Sequence, residues 1–308
     1  MIRLRSLQMM KTRMQNSSVE GKLLIFLAGV LWSLSGVWTK SLPDNGATIA
    51  IWRGLFAGLA LAPLARGRGP KRMGARYLFI AIAFAMMVGL YIAAIKATTA
   101  ANAIFLQCSA TAWVVPIGWL FLKEKPDQRT LLGVGLAVVG ICWILLPELA
   151  GLGSGHLMGM LMGLTSGVAY ASVVVGLRSC RADDPIWLSA WNNMAGSLIL
   201  AGIIALSGAS ILPYRSSLPG LAIFGFLQMS LPYIFFARGL RTTSPAQATL
   251  IALVEPILNP FWVWLLHGEK PHDSTIIGGL LMIAGVLVAN LRSNHQKNQS
   301  SKPSELTT

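Results

Sequence analysis

The 308-residue chain is apolar for about twenty residues at a time, ten times over, and nothing constrains its fold more. A bilayer core ~30 Å thick takes about 20 helical residues at 1.5 Å each. By that ruler the runs fall at roughly 23–41, 47–65, 77–95, 99–122, 130–147, 156–177, 186–206, 219–238, 245–266 and 274–291. The connections are short and polar, such as the turn Pro43-Asp44-Asn45-Gly46 and the basic loop from Arg66 to Arg72. The pattern predicts an all-α membrane protein of ten transmembrane helices. Charged residues make up 12% of the chain, about half the ~25% of soluble domains, against 54% hydrophobic. A soluble enzyme, a disordered chain and a secreted disulfide scaffold are excluded, since none could cover so much apolar surface with so few charges. Cys108, Cys142 and Cys180 are too few and too scattered for a metal or disulfide framework.

The net charge of +14 is not a nucleic-acid footprint, because the basic residues stand between apolar blocks rather than along one face. Their placement sets orientation instead. Twenty Lys and Arg fall on one set of termini and loops, among them Arg66, Arg68, Lys71, Arg72 and Arg76. Only Lys40, Lys96, Arg215 and Lys270 fall on the other. Basic loops stay cytoplasmic, so both termini are expected inside a bacterial cytoplasmic membrane. Residues 1–21 read as a cytoplasmic tail, in preference to a mitochondrial presequence, and 292–308 as a second polar tail.

Displaced by 145 residues, the chain meets itself. Thr98, Ala101, Ala103, Trp119, Leu120, Glu124, Lys125, Pro126, Gly133 and Gly140 coincide with Thr243, Ala246, Ala248, Trp264, Leu265, Glu269, Lys270, Pro271, Gly278 and Gly285. Two five-helix repeats are implied, 22–147 and 156–291. Five is odd, so the second repeat is inverted, a recurring design of secondary transporters with the site between repeats.

Asn102 to Gln107 leading to Gly118-Trp119-Leu120-Phe121-Leu122-Lys123-Glu124, and Glu255-Pro256-Ile257-Leu258-Asn259-Pro260-Phe261-Trp262 leading to His267-Gly268-Glu269-Lys270-Pro271, carry a family resemblance. The sequence resembles the EamA family of the drug/metabolite transporter superfamily over about 22–291. The resemblance implies a ten-helix secondary carrier whose helices three, four, eight and nine line a central cavity. It also implies a proline in helix four matching Pro256. Thr111 stands there instead, predicting a straighter helix.

Of all charged residues, Arg53 and Glu255 alone lie well inside spans, where an ionised group costs about 2.5–3.5 kcal/mol on insertion scales. Glu255 is a candidate proton or amine site; Arg53 is its candidate partner or a carboxylate binder. A structural pair is the competing reading. Pro116, Pro232, Pro256 and Pro260 each remove a helical hydrogen bond and should expose backbone carbonyls, and Pro256 should turn Glu255 away from helical geometry. Asn102, Gln107, Gln228, Gln247 and Asn259, with Tyr91, Trp113 and Tyr233, complete the candidate set. Each polar one competes with a role as an interhelical hydrogen bond, each aromatic one with packing. Gly155, Gly159, Gly163 and Gly167 on helix six, with Gly54 and Gly58 on helix two, predict close packing within the chain in preference to a dimer seam.

No catalytic constellation, metal spacing or P-loop is present, so no enzyme activity or cofactor is expected. The partners expected are a small-molecule substrate, the lipid bilayer, and protons or an exchanged solute, with no nucleic acid; a monomer is expected, a homodimer being the alternative. The cargo implied by resemblance is an amino acid or related metabolite, exported rather than imported. The alternatives are uptake of a nucleoside-like or vitamin-like solute, or a channel or sensor.

Overall fold

The computed structural model describes residues 19–123, 126–152 and 155–290. Most of the N-terminal tail, the C-terminal tail and the repeated pair Glu124-Lys125 lie outside the described residues. Among the described residues, ten helices are long and apolar enough to span a membrane: α1 Val19–Ser41, α2 Gly46–Ala65, α3 Ala75–Ala97, α4 Ala100–Phe121, α5 Gln128–Leu149, α6 Leu157–Arg178, α7 Pro185–Leu206, α8 Arg215–Gly239, α9 Gln247–His267 and α10 Asp273–Asn290. Polar side chains start them. Asn45 accepts from the Thr48 N–H at α2, Thr99 from Asn102 at α4, Asp127 from Thr130 at α5, and Asp184 from Ile186 and Trp187 at α7. Each cap satisfies a backbone donor that would otherwise be stranded at the helix end.

Being even in number, the spans return Asn290 to the face that Val19 occupies, here the terminal face. On it, Tyr77 donates to Asp183 (2.9 Å) and Arg76 to Tyr77 (2.7 Å), while Arg68 pairs with Asp184 (3.3 Å). These contacts staple the α2–α3 connection to the α6–α7 connection.

The 145-residue register reappears as packing. A Cβ built on Gly133 would stand 2.6 Å from the Gly285 carbonyl oxygen, and one on Gly278 would stand 2.5 Å from that of Gly140. Gly133 and Gly278 are repeat mates, as are Gly140 and Gly285. One contact therefore maps onto the other under a two-fold exchange of repeats, as an inverted duplication requires. Backbones this close leave no room for any side chain, which is why α5 and α10 carry glycine there. Lys123 and Gly268, also mates, end α4 and α9 in the left-handed conformation (φ 56° and 68°). For lysine that conformation costs roughly 1–2 kcal/mol, so the tertiary fold, not residue preference, holds it.

Three expectations need correction. Gly155 is not on α6: it precedes the helix at φ 80° with open space around its Cα. The other three glycines do pack within the chain, Gly159 on Ala97, Gly163 on Leu106 and Ala103, and Gly167 on Ser109. Helix α4 is not straight despite Thr111. It is interrupted at Ser109, between Ala100–Cys108 and Ala110–Leu122, much as α9 is interrupted at Leu253. The Thr111 hydroxyl donates to the Cys108 carbonyl (3.1 Å), a side-chain bond that competes with the helical ladder where proline would have broken it. Finally, Glu255 is not bent out of helical geometry by Pro256. Both lie in the first turn of the half-helix Val254–His267, where proline's missing N–H costs nothing. Pro116 and Pro260 also sit within helical segments.

Candidate functional site

The halves of α4 and α9 far from the terminal face pack on each other, and Val254–His267 also packs on Ser35–Ser41 of α1. Two layers seal that side. Outermost, Glu269 pairs with Lys40 (2.8 Å) and accepts the Ala100 N–H (2.6 Å), while Lys40 also donates to the Thr98 carbonyl (3.0 Å). Beneath it, Asn259 donates to Ser35 (2.8 Å) and Tyr91 (3.3 Å), and those two hydroxyls bond each other (2.9 Å), all three buried. Beside this plug Trp262 donates to Ser33 (3.0 Å). Toward the terminal face the same helices part. Ala110–Leu122 packs on α5 and α6, whereas Pro245–Ala252 packs on α10 and, through Gly29, on α1.

Glu255 stands where the parting begins, one turn (about 6 Å) from Asn259. It retains accessible surface, yet lies within electrostatic reach of Arg53, Tyr91, Cys108, Tyr170 and Tyr233, drawn from five other helices. A group so surrounded and still accessible lines an internal cleft. Tyr170 is 41% accessible for the same reason, and Trp32, Trp113 and Tyr233 are half-buried. Trp32 meets Tyr233 edge-on (centroids 5.4 Å) and Phe236 at 5.3 Å. Trp113 has its Nε1 buried without a hydrogen-bond partner. The cleft is therefore aromatic-walled, with one carboxyl at its deep end.

Arg53 does not pair with Glu255. It is 2% exposed, donates to Gln228 Oε1 (2.7 Å) and lies over the Phe224 ring (5.0 Å). Gln228 in turn donates to the Trp32 carbonyl (3.1 Å). Gln228 lies in the π-helical turn Gly225–Ser230, a distortion concentrated at functional sites, with Pro232 two residues beyond its end. Asn102 and Gln107 are not in the cleft. Asn102 donates to Thr98 and accepts from Thr275, and Gln107 donates to Ser166, so both staple helices together. Gln247 sits in the first turn of α9, two turns nearer the terminal face than Glu255. Trp32 and Tyr170 lie as deep in apolar runs as Trp113, Tyr91 and Tyr233, although they stand outside the candidate set. Their depth within apolar runs was the available signal. A separate polar pocket of about 540 Å³ opens on the sealed side, near Asn102, Glu148, Lys270 and Asp273, and does not reach Glu255.

The EamA-like transporter family matches this chain twice, over residues 19–146 and 157–291. The chain belongs to the EamA-like transporter family. This EamA protein is 27% identical over 278 residues to an uncharacterized transporter of Archaeoglobus fulgidus, covering 87% of this chain and 96% of that one. It is 23% identical to the uncharacterized transporter YwfM of Bacillus subtilis, over 89% and 95% of the two chains. A shorter match, 27% identical over 42% of this chain and 44% of the relative, is to the aromatic amino acid exporter YddG of Ancylobacter novellus. A solved crystal structure superposes with a TM-score of 0.62 at 18% identity, over 89% of this EamA chain and 98% of that one, and shares its fold. The protein is thus a multi-pass membrane transporter of ten helices, its two family repeats fitting an inverted pair.

Proposed function

We propose that this transporter is a secondary carrier that moves a small amphipathic metabolite, an amino acid or related compound, out of the cell by alternating access. The observation that carries the reading is the asymmetry of the bundle. One face is sealed in two layers, the other opens onto a carboxyl and an aromatic wall between the two repeats. A carrier caught with one gate closed has this form; a channel would be continuous. The charge bias makes the terminal face cytoplasmic, so this is the inward-open state, ready to load cargo from inside. A relative named as an aromatic amino acid exporter supports the cargo class and the direction. Glu255, in the first turn of a half-helix, is the coupling or substrate acid, and Arg53, Gln228, Tyr91 and Asn259 form the floor that separates it from the sealed side.

The test is counterflow in proteoliposomes against a panel of amino acids, amines, nucleosides and vitamins. Saturable uptake accelerated by solute on the opposite side is expected. Flux that neither saturates nor responds to trans solute would mark a channel and overturn the carrier reading.

A further inference from the structure

We propose that the cleft clamps an α-amino acid by its two charged ends, the ammonium on Glu255 and the carboxylate on the Nε edge of Arg53, with an apolar side chain against the aromatic wall. This rests on the carrier reading above and narrows its cargo to zwitterions.

Arg53 is a cation held only by neutral groups. It is 2% exposed on a membrane-spanning helix; Nη1 donates to the Gln228 amide oxygen (2.7 Å), and the guanidinium lies 5.0 Å from the Phe224 ring centroid. Among the described residues no acceptor takes its Nε proton. A buried charge needs a counter-charge, and a buried N–H without an acceptor carries its full desolvation cost. Glu255 does not make that contact. It lies within electrostatic reach of Arg53, yet has no hydrogen bond or ion pair among the described residues. The two charges thus stand too far apart to pair and close enough to act on each other. An α-amino acid, with its ammonium and carboxylate a few ångströms apart, bridges such a gap.

The guanidinium is left ready for a carboxylate. It can take one bidentately along the Nη1–Nη2 edge or along the Nη2–Nε edge. Gln228 occupies Nη1 and is itself fixed by donating to the Trp32 carbonyl (3.1 Å), so the Nε edge is the one with a proton to spare. Protein covers Nε in this inward-open form, so a side chain must shift as the carboxylate arrives. The remaining groups around the acid, Tyr91, Cys108, Tyr170 and Tyr233, offer hydroxyls and a thiol but no charge. A zwitterion therefore completes two half-made pairs at once. An amine alone takes Glu255 and leaves Arg53 uncompensated, and an acid alone sets a second carboxylate beside Glu255 with no ammonium between them. Trp32, packed on Tyr233 (5.4 Å) and Phe236 (5.3 Å), gives the apolar side chain its contact surface.

Phenylalanine, phenethylamine and 3-phenylpropionate share one phenyl body and differ in charge. Binding of each to the purified full-length protein in nanodiscs is measured by calorimetry, and trans-accelerated exchange in proteoliposomes. Phenylalanine is expected to bind roughly ten-fold more tightly than either analogue, the worth of one charge-assisted hydrogen bond. Gln228→Glu gives Arg53 a resident carboxylate and should reverse the order in favour of phenethylamine. Glu255→Gln removes the ammonium's partner and should bring 3-phenylpropionate level with phenylalanine or above it. A single symmetric gel-filtration peak checks that each variant folds; should one not fold, the order in the native protein and the other variant still decide. Phenethylamine binding the native protein as tightly as phenylalanine, or an order that a folded variant leaves unchanged, would overturn the clamp. If none of the three binds, the clamp falls, and the carrier reading stands as long as another solute shows trans-accelerated exchange. If no solute exchanges at all, both fall.

Discussion

Glu255 and Arg53 lie at similar depth yet do opposite things. Arg53 is a buried cation held by Gln228 and Phe224, with its Nε unpartnered; Glu255 is an accessible acid with no hydrogen bond or ion pair among the described residues. Glutamine in place of Glu255 keeps the hydrogen-bonding shape and loses the titration. Glu255→Gln should therefore reach the membrane at normal abundance while lowering transport at least ten-fold or flattening its pH profile, both measurable in cells and proteoliposomes. Since no ion pair joins the two residues, the variant should not need Arg53→Gln to fold. Transport at the original rate and pH profile would make the acid structural. The same scale shows the limits of residue type as a guide. Asn102, Gln107 and Asn259 are equally polar, but two staple helices and one plugs the cleft, because helix rotation decides what each side chain meets.

At the level of elements, contact distance separates glycines that composition cannot. On α5, Gly140 faces backbone: its Cβ would lie 2.5 Å from the Gly278 carbonyl oxygen. Gly135, on the same helix, has nothing within 4 Å. Gly140→Ala should destabilise by about 1–3 kcal/mol through overpacking. Gly135→Ala should stabilise by roughly 0.5–1 kcal/mol, alanine being the better helix former. Thermal unfolding in detergent should move the two midpoints in opposite directions; equal shifts would contradict the α5–α10 seam. The interruptions at Ser109 and Leu253 belong to this scale too. Pro256 advertised one of them, whereas that at Ser109 carries no proline and is accompanied by a Thr111 side-chain bond to the Cys108 carbonyl.

For the whole molecule, orientation and closure are testable together in a cysteine-free background. Met73→Cys, in the basic loop, should react with a membrane-impermeant maleimide only in inverted vesicles, and His272→Cys only in intact cells. Labelling of both from one side would destroy the inverted topology. Glu269 ties α1, the α4 start and the α9–α10 connection at one point. Glu269→Gln should loosen that seal and raise labelling of Ser35→Cys from the His272 side several-fold, whereas Asp184→Asn on the opposite face should not. No increase would mean that the Asn259 layer alone holds the face shut.

The ten spans and the duplication were legible in the chain because each rests on a sum. Twenty residues of transfer free energy, or a register of matching residues across two repeats, survive any local ambiguity. The family, and the transport it implies, was legible by resemblance in the segments from Asn102 to Glu124 and from Glu255 to Pro271. Where α4 breaks, which aromatic residues wall the cleft, and that Arg53 turns to Gln228 rather than Glu255 were decided only by tertiary structure. A helix hydrophobic on all sides carries no stripe to say which face looks inward. Its rotation is set by the glycine contacts and hydrogen bonds of its neighbours, so a side chain's access to the cleft is a property of the assembled bundle and not of its own segment.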